Sequence, residues 1–326
     1  MCGQWSEEGY IRNRTVDLWE RMALDDWKRL VDEVALHPVR CVLVRGGEPF
    51  LFKGIIELLH YINDKGIFLS IDTNGTLLDH YAADLSTINK MHITFSVDGP
   101  EQVHDAVRQM PGSFQKIRRN IALLNELEKK NGNAISKSVC FTISKYNYDA
   151  LGCMADVVRS LSLSSINIVP YYYVPAEVGA TYNEELKNNF DCCAFSWKGF
   201  HHETSGVKFE RFRKELRTYR ATLGNVHDYP YLPLTEEEYQ VWFDDPLTPV
   251  KSTACSNLEN LIDIQPTGEA NFCVDFPDYS IGNVKQATIE SLWNGSRAQR
   301  FREYRRKQPL AVCYRCGAKH MSEIKE

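Results

Sequence analysis

The stretch Val39-Arg40-Cys41-Val42-Leu43-Val44-Arg45-Gly46-Gly47-Glu48-Pro49 passes from a β-branched apolar run straight into two glycines, an acid and a proline. The run 41–44 reads as a strand of a parallel sheet, buried on both faces, where apolar residues need not alternate with polar ones. Two glycines at its end let the backbone pass close to a ligand, so that amides and carbonyls can meet a small zwitterion. The plainer reading is a tight turn before a helix, for which Gly and Pro are equally common.

Working outward, residues 18–36 carry Leu18, Met22, Trp27, Leu30, Val31 and Val34 at helical spacing. Downstream, the patterns predict helix over 55–62, strand over 67–71, helix over 77–85, strand over 92–97 and helix over 114–127. Strand 138–144, helix 151–161 and strand 166–169 complete the series. Single strands alternating with single helices predict parallel βα units with right-handed crossovers. Polar residues sit at two more strand ends, Thr73-Asn74-Gly75 and Ser96-Val97-Asp98-Gly99-Pro100. In such folds the carboxyl ends of the strands hold the active site. Asp-Gly-Pro is also a good turn, in which Asp98 would bond only local amides.

The chain has 326 residues, 43% hydrophobic and 25% charged, the composition of a globular α/β protein with room for a smaller second domain. Its formal net charge of -5 lacks the basic surplus of a nucleic-acid binder. No window approaches the run of about 18 apolar residues that spans a bilayer, so no membrane partner is expected and a cytoplasmic location is. Of ten cysteines, Cys41, Cys140 and Cys153 lie in apolar patterns and read as small core residues. Cys192-Cys193 reads as packing, and His201-His202 as a surface loop. Cys255, Cys273, Cys313 and Cys316 cluster among glycines and turns, and suit iron–sulfur or zinc ligation better than disulfides.

The order of a strand, Gly-Gly-Glu-Pro, Thr-Asn-Gly and Ser-Val-Asp-Gly resembles the radical S-adenosylmethionine (radical SAM) enzymes. Met1-Cys2-Gly3-Gln4-Trp5 resembles the end of that family's C-x3-C-x2-C loop, with Cys2 as the third cysteine. Cys255, Gly268, Cys273, Ile281-Gly282-Asn283-Val284, Leu292-Trp293-Asn294 and Cys313-x2-Cys316 resemble SPASM and twitch domains. The resemblance implies an α/β fold: a partial (β/α)6 TIM-like barrel over 1–179, a connector of mixed helix and loop over 180–250, and a small cysteine-rich domain over 251–326. Five strands are visible, so the barrel's first strand is expected to lie before residue 1. The chain as given is then expected to be an inactive fragment or, if Met1 is the true start, a degenerate homologue.

By the same resemblance, Gly46, Gly47, Glu48, Pro49, Thr73, Asn74, Ser96 and Asp98 are expected to contact S-adenosylmethionine, with Glu48 receiving its ammonium. Cys2 would ligate the cofactor-binding 4Fe–4S cluster. Cys255, Cys273, Cys313 and Cys316 would hold one auxiliary 4Fe–4S cluster, and Asp275 would accept a proton. The implied chemistry is reductive cleavage of the cofactor to a 5′-deoxyadenosyl radical, hydrogen abstraction from substrate, and electron uptake by the auxiliary cluster. A flavodoxin or ferredoxin would be the electron donor. The short module favours a small alcohol or sugar-like substrate slightly over a peptide.

Overall fold

The structure, a computed structural model, describes residues 3–13, 21–230, 232–251 and 254–318; the first cluster-loop candidate, Cys2, lies outside them. The chain divides into two compact units: residues 27–170 with 210–230, and residues 1–26 with 171–209 and 231–326.

The first unit is a six-stranded parallel sheet whose spatial order follows the sequence. Its strands are β1 (Cys41–Val44), β2 (Phe68–Thr73), β3 (Met91–Ser96), β4 (Ser136–Ile143), β5 (Ser165–Pro170) and β6 (His227–Asp228). The α/β reading and the five strands expected from the pattern are present. The sixth arises from the stretch expected to be connector: the helix Phe209–Thr222 leads into β6, which pairs with β5. Residues 180–250 also hold most of the helix Ala176–Phe190 and all of Glu236–Asp244, the latter opened by a reciprocal Thr235–Glu238 capping box.

Period-two alternation gives the sheet two chemically different faces. Leu69, Ile71, Ile93, Phe95, Val139, Phe141, Ile143, Ile166 and Ile168 form an apolar face and are buried. Helices lend it Leu59, Ile62, Ile117, Ile121, Leu124 and Val158, also buried. The strand β1 departs from expectation, because it is half-exposed rather than buried on both faces. Among the described residues it is an edge strand, paired with β2 alone. Cys41 and Cys153, expected in the core, are exposed.

The second unit has a small antiparallel sheet, β7 (Asp263–Ile264), β8 (Glu269–Asn271) and β9 (Gly282–Asn283). Its core is aromatic, with Phe190 against Tyr279, Phe301 and Tyr304 at centroid distances of 4.7, 5.3 and 5.1 Å. Two buried arginines help tie it together through backbone carbonyls. Arg302 donates to the Leu258 and Trp293 carbonyls and lies over the Phe272 and Trp293 rings. Arg315 donates to the carbonyls of Thr248, Val241 and Asp245. Val241 and Asp245 end the helix Glu236–Asp244, where the helix dipole favours a cation.

Candidate functional site

The carboxyl ends of β1, β2 and β3 carry the first constellation. Glu48 is its keystone: Oε1 accepts from Thr73 Oγ1 at 2.8 Å and from the Phe50 amide at 3.3 Å, while Oε2 accepts from the Asn74 amide at 2.9 Å. One carboxylate thus joins the loop after β1 to the end of β2, satisfying three donors with charge-assisted bonds. Thr73 then accepts from the Gly75 amide, and Asn74 Oδ1 from the amide and hydroxyl of Thr76.

Gly46 and Gly47 are exposed beside this carboxylate. Gly46 adopts φ +154°, which side chains avoid, and a Cβ there would meet nothing within 4 Å. The backbone therefore lines an open cradle that a side chain would fill, which fits close approach of a small zwitterion. Asn74 and Ser96 are half-buried at the neighbouring strand ends.

The other three expected contacts are turned inward. Pro49 and Thr73 are buried, and Thr73 serves Glu48 and Gly75. Asp98 is only 1% exposed and pairs with Arg108 at 2.5 Å, so it braces the loop rather than presenting a carboxylate. Its amide donates to Nδ1 of buried His104 at 3.1 Å, and Asn147 donates to its carbonyl. Burial holds His104 below the usual imidazole range, in keeping with a neutral ring that accepts at Nδ1.

A polar row behind these strand ends escaped the sequence reading. Register aligns Asp72 with Thr94 and Thr94 with Ser138, one face of three adjacent strands. Ser96 aligns with Cys140 and Cys140 with Asn167. Burial raises the Asp72 carboxyl, opposed by Arg45 and a hydrogen bond from Thr94. The Cys140 thiol is pushed up to about 12 by burial and by the charges of Asp72 and Asp98, so it is no nucleophile at neutral pH. His92 bridges Ser136 and Ser138 at 2.9 and 2.8 Å deeper on the same face. The signal was available as Ser70-x-Asp72, His92-x-Thr94-x-Ser96 and Ser136-x-Ser138-x-Cys140, polar residues at every second position.

The second constellation is the four thiols of the other unit. Burial raises Cys273, Cys313 and Cys316, and in each case neighbouring cysteines raise it further: Cys313, Cys255 and Cys316 around Cys273, and Cys255 beside both Cys313 and Cys316. These half-buried thiols oppose one another's ionisation, a penalty that a cationic centre among them would remove. The donor set therefore fits a thiolate-ligated cluster, although among the described residues no three His, Cys, Asp or Glu side chains already converge to hold a metal ion.

Asp275 accepts a 2.5 Å hydrogen bond from Tyr172, whose ring packs 5.2 Å from that of Phe200 and 6.5 Å from that of Phe276. The buried carboxylate of this unit is Asp278, three residues on. It accepts from the Phe195 and Ser196 amides at 2.7 and 2.8 Å, from Tyr182 at 2.9 Å and from the Ser196 hydroxyl. Cys192 is raised to about 11, by burial first and then by Asp278, as befits a packing residue. His201 lies between Glu8 and Glu203, and its hydrogen bond to Glu203 raises it above the usual range.

Two family models match: the Radical SAM superfamily over residues 1–156, and an iron–sulfur cluster-binding domain, SPASM, over residues 255–317. The chain is 24% identical over 330 residues to Fe-coproporphyrin III synthase of Methanosarcina barkeri (strain Fusaro / DSM 804), covering 94% of this chain and 76% of that protein. It is 23% identical over 316 residues to the antilisterial bacteriocin subtilosin biosynthesis protein AlbA of Bacillus subtilis (strain 168), covering 93% of this chain and 61% of that one. In fold it is similar to Streptococcus suis SuiB bound to its precursor peptide SuiA, with TM-score 0.60 and 12% identity. That likeness covers 91% of this chain and 64% of SuiB, so the chain spans somewhat under two thirds of that neighbour. These relatives lend no support to the small-alcohol preference. Among the described residues no helix is long and apolar enough to cross a membrane.

Proposed function

The chain belongs to the radical SAM superfamily and carries a C-terminal SPASM domain, with S-adenosylmethionine and 4Fe–4S clusters as its cofactors, and from that premise we propose that it oxidises a peptide side chain by hydrogen-atom abstraction. Bound at a cluster, S-adenosylmethionine supplies the carbon-centred radical that such chemistry needs. The observation that carries the reading is the Glu48 keystone: it fixes the loop so that the Gly46-Gly47 backbone stands open to the cofactor's methionine end. Glu48 does this as a positioning residue, since its oxygens already serve three donors of the chain. Ser96 and Asn74, half-buried at the neighbouring strand ends, offer polar groups for the cofactor's hydroxyls.

Cys255, Cys273, Cys313 and Cys316 would hold the auxiliary cluster. Asp275, with Tyr172 donating to it, is the group that takes the substrate proton, and the aromatic rings beside it exclude water from that exchange. A tetrapyrrole is the second reading, favoured by the 94% span of the likeness to Fe-coproporphyrin III synthase. The two are separated by adding either a short precursor peptide or a tetrapyrrole precursor of iron coproporphyrin III to the reconstituted, reduced protein. Peptide-dependent release of 5′-deoxyadenosine supports the first reading. Release only with the tetrapyrrole overturns it.

A further inference from the structure

The helix Ala176–Phe190 lies outside both matched family models, which cover residues 1–156 and 255–317. Val178, Tyr182, Leu186 and Phe190 form its buried stripe, the spacing of an ordinary packed face. Tyr182 brings a hydroxyl into that stripe, and half-buried Glu185 sets a carboxylate beside it. Polar groups in such places are costly unless each is hydrogen-bonded, so their partners are informative. Tyr182 donates to Asp278 at 2.9 Å, on the segment that follows Cys273. Glu185 accepts from the Ala311 amide at 2.9 Å. Ala311 opens the short 3-10 turn Ala311–Arg315, which contains Cys313 and is ended by Cys316. Residues at i and i+3 share a helix face, so a single turn of this helix grips both ligand-bearing segments. Burial, Asp278, Cys273 and Cys313 raise the Tyr182 phenol well above its usual range, which places it within electrostatic reach of two thiols. Glu185 is likewise among the charges that, after burial, raise Cys313.

We propose that Tyr182 and Glu185 are positioning residues for the auxiliary cluster: they hold the segment of Cys273 and the turn of Cys313-x2-Cys316 in place to receive iron. Neither is a ligand. Groups that orient ligands from behind typically change metal affinity by about 10- to 100-fold when removed. The inference rests on the assignment of the four cysteines to that cluster.

The test uses the iron-loaded full chain, an anaerobic challenge with a ferrous chelator, and four variants. Tyr182→Phe removes one hydroxyl and leaves Asp278 its Phe195 and Ser196 donors. Glu185→Ala removes the acceptor for Ala311, and Glu185→Gln restores one as an amide oxygen. Asn183→Ala breaks a bond of the same helix that reaches the Ala194 amide, at 2.9 Å, rather than a ligand segment. Iron should leave Tyr182→Phe and Glu185→Ala about tenfold faster than the wild type, with a shifted electron paramagnetic resonance signal from the reduced cluster. Glu185→Gln and Asn183→Ala should stay within about twofold and keep the signal. In the iron-free chain, the Ala311 amide should exchange its hydrogen at least about tenfold faster in Glu185→Ala than in Glu185→Gln. Iron loss at the wild-type rate in Tyr182→Phe or in Glu185→Ala overturns the proposal. Equal acceleration in Asn183→Ala does so too, because it marks general destabilisation, and equal acceleration in Glu185→Gln does so because charge rather than the bond is then at work. Cys273→Ser and Cys316→Ser test the underlying assignment. Full iron in both sinks the ligand set and the positioning role with it, whereas loss of about four irons there with unmoved rates in Tyr182→Phe and Glu185→Ala sinks the positioning role alone.

Discussion

Gly46 is the residue at which backbone geometry and ligand chemistry meet. A side chain at φ +154° is strained, at a cost of order 1–3 kcal/mol, and it would occupy the open cradle. Gly46→Ala should therefore lower the melting temperature by a few degrees while reducing S-adenosylmethionine affinity by at least about tenfold, measured by equilibrium dialysis. Glu48→Gln separates the keystone from its charge. Glutamine has a single acceptor oxygen, so its NH2 must face a donor now served by Oε1 or Oε2. The expected loss is about 1–3 kcal/mol in a denaturant titration, with weaker cofactor binding; an unchanged midpoint would show that the loop does not depend on this carboxylate. The sequence marked Glu48 as important and missed its partners. Thr73 and Asn74 lie 25 and 26 residues away, and nothing local encodes the register that brings them to it.

At the scale of elements, βα alternation was readable wherever a strand is long enough to show a period, as in Phe68–Thr73 and Met91–Ser96. The two-residue strand β6 has no period, and the aromatic, proline-containing sequence around it concealed a last helix–strand unit. Asp228, in β6, carries a testable cost. Its Oδ1 is buried without a hydrogen-bond partner, and burial raises the carboxyl to about 6. The folded state binds this proton more tightly than the unfolded chain, so stability from this group is present below the unfolded carboxylate range and is lost as pH climbs through about 6. The loss is at most about 3 kcal/mol between pH 4 and 7. Asp228→Asn should flatten that slope and raise the melting temperature at pH 7; an unaltered slope would place the titration elsewhere. Arg315 is the corresponding test in the SPASM-bearing unit. Arg315→Lys keeps the charge but loses the fork that spans the Thr248, Val241 and Asp245 carbonyls. It should cost about 2–3 kcal/mol and lower the iron retained per chain, read by unfolding and by iron assay.

For the whole molecule, the open backbone at Gly46 lies in one compact unit and the four half-buried thiols in the other. The four cysteines stood out in the sequence by their clustering among glycines and turns, a pattern that suits iron–sulfur or zinc ligation. Their protonation was not, since it depends on burial that only the folded unit creates. Burial and mutual repulsion keep Cys273, Cys313 and Cys316 protonated near neutral pH, whereas iron binds thiolates. Anaerobic loading must then release protons, about three to four per auxiliary cluster, and the apparent iron affinity must rise steeply with pH. A weakly buffered titration with a pH indicator reads the release directly. Cys273→Ser and Cys316→Ser should abolish it together with about four irons per chain. Because the thiols belong to one compact unit, the gain in hydrogen-exchange protection on loading should concentrate in residues 171–209 and 231–318. Loading without proton release would mean that the thiols were already ionised, and the penalty that argues for a cationic centre among them would disappear.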